Sequence, residues 1–139
     1  GGKSNGTSTS NYGSYGIFTD TASPLNAGGT AVVKGTGAEA VYISMGICVD
    51  NNITVGDTAS VTGNGGDANG FSYGVQATST LTVSGGTLNA NGGESDGPSY
   101  GVQTTSALTV SGGALTANGG DAGTLSYGVS TFERQRRYA

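Results

Sequence analysis

Ser72-Tyr73-Gly74-Val75-Gln76-Ala77-Thr78-Ser79-Thr80-Leu81-Thr82-Val83-Ser84-Gly85-Gly86-Thr87-Leu88-Asn89-Ala90-Asn91-Gly92-Gly93 returns without a gap from Ser99 to Gly120. The period is 27 residues, and 18 of those 27 positions are identical in the two copies. Ser-Tyr-Gly-Val comes back at Ser126 to Val129, and looser copies open at Ser44-Met45-Gly46-Ile47 and Ser14-Tyr15-Gly16-Ile17. Repeats therefore start at residues 14, 44, 72, 99 and 126. The upstream spacings of 30 and 28 place the extra residues in loops while the core positions stay in phase.

Within the third copy, Tyr73, Val75 and Ala77 alternate with Gly74, Gln76 and Thr78; Leu81 and Val83 alternate with Thr80, Thr82 and Ser84; Leu88 and Ala90 alternate with Thr87, Asn89 and Asn91. A period of two is the mark of a strand, because successive side chains leave opposite faces. The separators Ser84-Gly85-Gly86 and Asn91-Gly92-Gly93 supply residues that tolerate positive φ and turn the chain sharply. No stretch carries a helical apolar stripe behind a cap. Three short strands per repeat cannot each bury an apolar face alone, so the repeats must stack. The arrangement that satisfies this is an all-β, right-handed parallel β-helix of roughly five coils, with neighbouring coils about 4.8 Å apart.

Stacking makes columns of equivalent residues. One reads Tyr15, Met45, Tyr73, Tyr100, Tyr127, and the next Ile17, Ile47, Val75, Val102, Val129. Others read Ile53, Leu81, Leu108; Val55, Val83, Val110; and Val61, Leu88, Leu115. The tyrosine column shares parity with Val75 and Ala77, so it is expected inside; facing outward, it would instead offer rings to sugars. A disordered chain has no reason to hold such columns in phase. A single solenoid domain is expected over residues 1–131, with 1–13 a partial preceding coil and 132–139 a non-repeat basic tail.

Composition narrows the chemistry. Of 139 residues, 28 are Gly, 16 Ser, 19 Thr and 10 Asn, while 34% are hydrophobic and 10% charged, against usual values of about 45–50% and about 25%. With no His and one Cys there is no His-based triad, no Cys/His zinc site and no disulfide framework within the chain. A net charge of −4, with Lys3 and Lys34 the only basic residues before the tail, argues against nucleic acid. Apolar runs such as Ala31 to Val33 and Ala40 to Ile43 fall far short of the roughly 18 residues of a membrane span. The opening Gly1-Gly2-Lys3-Ser4-Asn5-Gly6 has no apolar leader, and a piece of something larger is expected.

The units Ser-Tyr-Gly-Val-Gln-x-Thr-Ser-x-Leu-Thr-Val-Ser-Gly-Gly and Leu-x-Ala-Asn-Gly-Gly resemble those of repetitive bacterial surface proteins with right-handed parallel β-helices, the adhesin and autotransporter-passenger type in the broad pectate-lyase-like group. The resemblance covers about residues 14 to 131 and rests on core and corner positions. It implies an extracellular or cell-surface, elongated scaffold and carries over no functional residue.

Acidic residues supply the remaining candidates. Asp20 and Asp50 hold the same repeat position, so on adjacent coils their carboxylates would sit about 5 Å apart, the separation of a retaining glycosidase pair. Asp67, Glu94 and Asp121 each follow Gly-Gly, with Lys3 in the corresponding place at the front. Three like charges at one-coil spacing either splay into solvent or share a cation such as Ca²⁺, although the Gly-Gly-x-Gly-x-Asp calcium repeat is not matched. Thr80 and Thr82 form the Thr-x-Thr unit of flat ice-binding solenoids, but the equivalent pairs Asn52/Thr54 and Ala107/Thr109 keep only one file. Cys48 stands at an outward position beside Gln76 and Gln103 as a free thiol. Asn5-Gly6-Thr7 and Asn52-Ile53-Thr54 match the glycosylation pattern, which counts only in a eukaryotic chain.

The expectation is a structural or adhesive segment of a larger bacterial surface or secreted protein, with no catalysis and no cofactor, meeting host or matrix glycans or proteins. The rival is a carbohydrate-active β-helix, either a glycan-binding module or an enzyme at Asp20/Asp50. Uncapped coil ends add an expected head-to-tail contact between the Tyr15 coil of one molecule and the Tyr127 coil of another.

Overall fold

In the computed structural model, residues 13–131 are described, and among them every regular element is a strand. The first coil comprises β1 (Gly13–Thr19), β2 (Leu25–Ala27) and β3 (Val32–Thr36), and the second β4 (Ile43–Val49), β5 (Ile53–Val55) and β6 (Ser60–Asn64). The third comprises β7 (Phe71–Ala77), β8 (Leu81–Val83) and β9 (Thr87–Asn91). The fourth comprises β10 (Ser99–Thr104), β11 (Leu108–Val110) and β12 (Ala114–Asn118), and β13 (Ser126–Thr131) opens a fifth. Equivalent strands pair in parallel into three sheets, ordered β1-β4-β7-β10-β13, β2-β5-β8-β11 and β3-β6-β9-β12. The result is a parallel β-solenoid of about four turns of roughly 28 residues.

The register follows the repeat. Tyr15 pairs with Met45, Met45 with Tyr73, Tyr73 with Tyr100 and Tyr100 with Tyr127; Ile17, Ile47, Val75, Val102 and Val129 line up beside them. Leu25 and Ala27 extend the second sheet's columns to Ile53 and Val55, and Val33 extends the third's to Val61. One core runs through the solenoid, with Ile47, Ile53, Val55, Val61, Val75, Leu81, Val83 and Leu88 wholly shut off from solvent. Each such side chain contributes about 1.5–3 kcal/mol relative to leaving it in water.

The serine that opens each repeat ties the first sheet to the corner after the third. Ser72 Oγ donates to the Gly66 carbonyl at 2.8 Å and accepts from Gly93 N–H at 2.7 Å. Ser44 does the same with Ala38 and Gly66, and Ser99 with Gly93 and Gly120. Each corner peptide thus lies between serines of successive coils, and a single file of alternating hydroxyl and peptide groups follows the axis. Such a chain satisfies backbone groups that the three sheets leave unpaired in a buried place. Asn64, Asn91 and Asn118 form a second polar ladder, each amide donating to the one before it at 2.9 Å.

The tyrosine column departs from expectation. Ile47, Val75 and Val102 belong to the main core, whereas Met45 and Tyr73 form a separate cluster with Cys48, backed by Ile43, Phe71 and Tyr100. Ser72, between Phe71 and Tyr73, points inward to its corner bonds, so Phe71 and Tyr73 point outward. The strict alternation slips one step at Gly74. A Cβ built there would run into the Asn91 backbone nitrogen and lie 2.7 Å from Gly101 O and 2.8 Å from Ala90 C, so Gly74 faces inward like Val75 after it. The first sheet bends at this glycine and its third-sheet neighbour closes against it, an approach that only a residue without a side chain permits.

Candidate functional site

The slip at Gly74 gives the first sheet an outer face with an apolar file along its length. Tyr73 and Tyr100 stack with ring centroids 4.9 Å apart and planes 6° from parallel, and Tyr100 and Tyr127 stack at 5.5 Å and 11°. Phe71 lies parallel to Tyr73 at 6.2 Å, and Tyr42 meets Phe71 edge-on at 5.7 Å. At the first coil Tyr15 and Phe18 make an edge contact at 5.5 Å, a pair three residues apart that shares a face because of the slip at Gly16. The middle of the file is covered by its neighbours, and its ends are open, with Tyr15 38%, Phe18 59% and Tyr127 40% exposed. Because the rings stack along the axis, their faces meet each other and their edges point outward.

Beside the rings runs a file of Phe18, Cys48, Gln76, Gln103 and Ser130, one from each strand of the sheet. Gln76 Nε2 donates to Gln103 Oε1 at 2.6 Å, and the Cys48 thiol donates to Gln76 Oε1 at 3.5 Å. Cys48 is a free thiol, pushed up to about 11 by burial and then by the charge of Asp50, so it stays protonated and weakly nucleophilic at neutral pH. Burial likewise lifts the Tyr73 hydroxyl to about 12, with Tyr100 and Tyr42 adding to it, and raises Tyr100, with Tyr127 adding to that.

Asp20 and Asp50 follow directly on the paired ends Thr19 and Val49, and Asp50 N–H donates to the Thr19 carbonyl at 3.1 Å. They stand on adjoining coils as their spacing demands. Asp20 is exposed, and its carboxylate accepts Ala22 N–H at 3.1 Å, which closes the turn before β2. Asp67, Glu94 and Asp121 also line up, since the residues after them bridge in parallel: Ala68 with Ser95, and Ser95 with Ala122. The same ladder begins at Ala40, which makes Glu39 the front member of the acidic column. Lys3, assigned to that place from the sequence, lies outside the described residues. Glu39 went unread because its corner is Gly37-Ala38 where the others have Gly-Gly.

Three members of the acidic column, Glu39, Asp67 and Glu94, line a shallow groove of about 120 Å³ with Asn69, Ser95 and Asp96. The carboxylates of Glu39, Asp67, Glu94 and Asp121 are all exposed, and Glu94 N–H donates to Asp67 Oδ1 at 3.2 Å. Among the described residues no group of three or more His, Cys, Asp or Glu is placed to hold a metal ion. On the second sheet Thr54, Thr82 and Thr109 form one outward file that Asn26 begins. The second threonine file fails, as the sequence indicates. Among the described residues no helix is long and apolar enough to cross a membrane. The Asn5 pattern and the 132–139 tail fall outside the described residues. No family model matches the chain, and no curated protein or solved structure is significantly similar to it.

Proposed function

We propose that the chain is a structural and adhesive segment of a larger bacterial cell-surface or secreted protein, acting without catalysis, with the outer face of its first sheet as the contact surface. One observation carries this reading: a file of aromatic and apolar side chains runs along that face, whereas the second sheet presents Asn26, Thr54, Thr82 and Thr109 and the third Lys34, Thr62, Asn89 and Thr116. Aromatic residues dominate the energetics of protein contacts, and the Tyr ring joins a large apolar body to a polar tip. Because the rings meet face to face along the ladder, their edges rather than their faces are left for a partner, which suits a flat protein or matrix partner better than the face of a single sugar.

The rival reading, a carbohydrate-active β-helix, is supported by the placement of Asp20 and Asp50 on adjoining coils. A panel of immobilised matrix proteins and polysaccharides separates the two. The adhesive reading expects retention on at least one protein surface without turnover of any polysaccharide, and weaker retention of a Tyr100→Ser variant. Release of sugar products that disappears in Asp50→Asn would establish the rival. Failure to be retained anywhere would remove the adhesive reading.

A further inference from the structure

The tyrosine stack has a chemistry of its own, separate from any adhesive role. A phenoxyl radical carries its unpaired electron on the oxygen and on the two ring carbons ortho to it. Two such radicals combine face to face, because the new bond is made from orbitals perpendicular to the rings. The ladder register sets Tyr73 beside Tyr100 and Tyr100 beside Tyr127, with ring centroids 4.9 and 5.5 Å apart and planes within 6° and 11° of parallel. The fold has thus already brought the reacting carbons together, which in solution is the improbable part of a bimolecular step. Among the described residues the stack ends at Tyr127, which is 40% exposed and open to an oxidant. Tyr15, by contrast, stands opposite Met45 in the ladder, and Tyr42 meets Phe71 edge-on.

We infer that the Tyr73–Tyr100–Tyr127 stack is an oxidative coupling site, at which a peroxidase-type one-electron oxidant joins an ortho carbon of Tyr100 to that of a stacked neighbour and staples adjacent coils together. Each of two phenols loses one electron and its hydroxyl proton. The two electrons and two protons convert one hydrogen peroxide to two waters. The ortho carbons then bond, and the hydrogen on each moves to its ring's oxygen as the rings become aromatic again, so both hydroxyls are restored. The chain is lighter by two hydrogen atoms.

The test treats the folded chain, at high dilution, with a peroxidase and hydrogen peroxide, and follows dityrosine fluorescence and mass in the monomer fraction. Cleavage at Glu94 and Asp96 separates Tyr73 from Tyr100, and cleavage at Asp121 separates Tyr100 from Tyr127, so a link shows as two peptides held together. The expected result is an intramolecular link through Tyr100. Tyr100→Phe keeps a stacked ring but lacks the phenol, and its monomer fluorescence falls to background while Tyr42→Phe keeps the full signal. The double variant Tyr73→Phe/Tyr127→Phe, which leaves Tyr100 in place, also falls to background. No coupling in the monomer, an undiminished signal in Tyr100→Phe, or an equal yield from the chain unfolded in urea would each overturn the inference.

Discussion

Replacing Ser72 with alanine removes one oxygen from a place with no solvent access. Its hydroxyl donates to the Gly66 carbonyl at 2.8 Å and accepts from Gly93 N–H at 2.7 Å, and the residue is fully buried. Without it, an acceptor in one coil and a donor in the next each lose a partner, and no water can replace the hydroxyl unless the corner opens. A buried group left unsatisfied costs about 1–3 kcal/mol, so the pair sums to about 2–6 kcal/mol. That is a large share of the roughly 5–15 kcal/mol by which a domain is stable. For a chain of this size each kcal/mol moves the melting temperature by about 3–5 °C, so Ser72→Ala is expected to melt at least about 6 °C lower. Thermal unfolding followed by circular dichroism measures it, with Thr109→Ala, on an exposed outer file, as a control expected within about 0.5 kcal/mol of the parent. A Ser72→Ala protein melting together with that control would refute the idea that the serine file closes the coil.

Three further outcomes follow from the packing. Gly74→Ala places a methyl against the Asn91, Ala90 and Gly101 backbones, none of which can swing aside, and is expected to cost about 3 kcal/mol or more in urea unfolding. Val83→Asp puts a charge among wholly buried aliphatics and is expected to cost about 4 kcal/mol or more, whereas Thr82→Asp on the outer face costs little; a melt ranking them the other way would reverse the assigned faces. Stability is also expected to fall in alkali. Cys48 is raised from 9.0 to about 11 and Tyr73 from 10.0 to about 12, so between those values the unfolded chain has given up protons that the folded chain still holds. The difference favours unfolding as pH rises, so stability is level up to about pH 9 and declines through about pH 12. Denaturant midpoints across that range check it, and a flat profile would contradict the burial of both groups.

The stacking was legible because identity at a fixed period leaves little freedom: once Ser72 and Ser99 are equated, Val75 must lie on Val102 and Leu81 on Leu108. The first coil was harder to read. Leu25, Ala27 and Val33 continue the inner columns, but the 30-residue spacing and the loss of the Gly-Gly corner hide their phase. The tyrosine face was misread for a physical reason. Parity along a strand is reliable only while the pleat is unbroken, and Gly16, Gly46, Gly74 and Gly101 sit where two successive residues face the core. A glycine between Tyr or Met and a β-branched Ile or Val in every copy was the available signal of that slip. The serine file was equally visible as a repeated letter, but a hydroxyl's two partners lie on other coils, and spacing alone does not name them.

Four turns of this molecule advance the axis by only about 19 Å, at about 4.8 Å per coil, whereas 27 residues fully extended would span about 90 Å. Length along the axis is therefore gained slowly, and it comes in whole units. Inserting or removing 27 residues at a corner returns each side chain to its own file, so the serine, asparagine and tyrosine ladders simply gain or lose a rung. Inserting one residue within a strand turns every later side chain of that strand to the opposite face. The molecule is tolerant of change in number and intolerant of change in phase, so variation in length can leave the chemistry of its faces untouched.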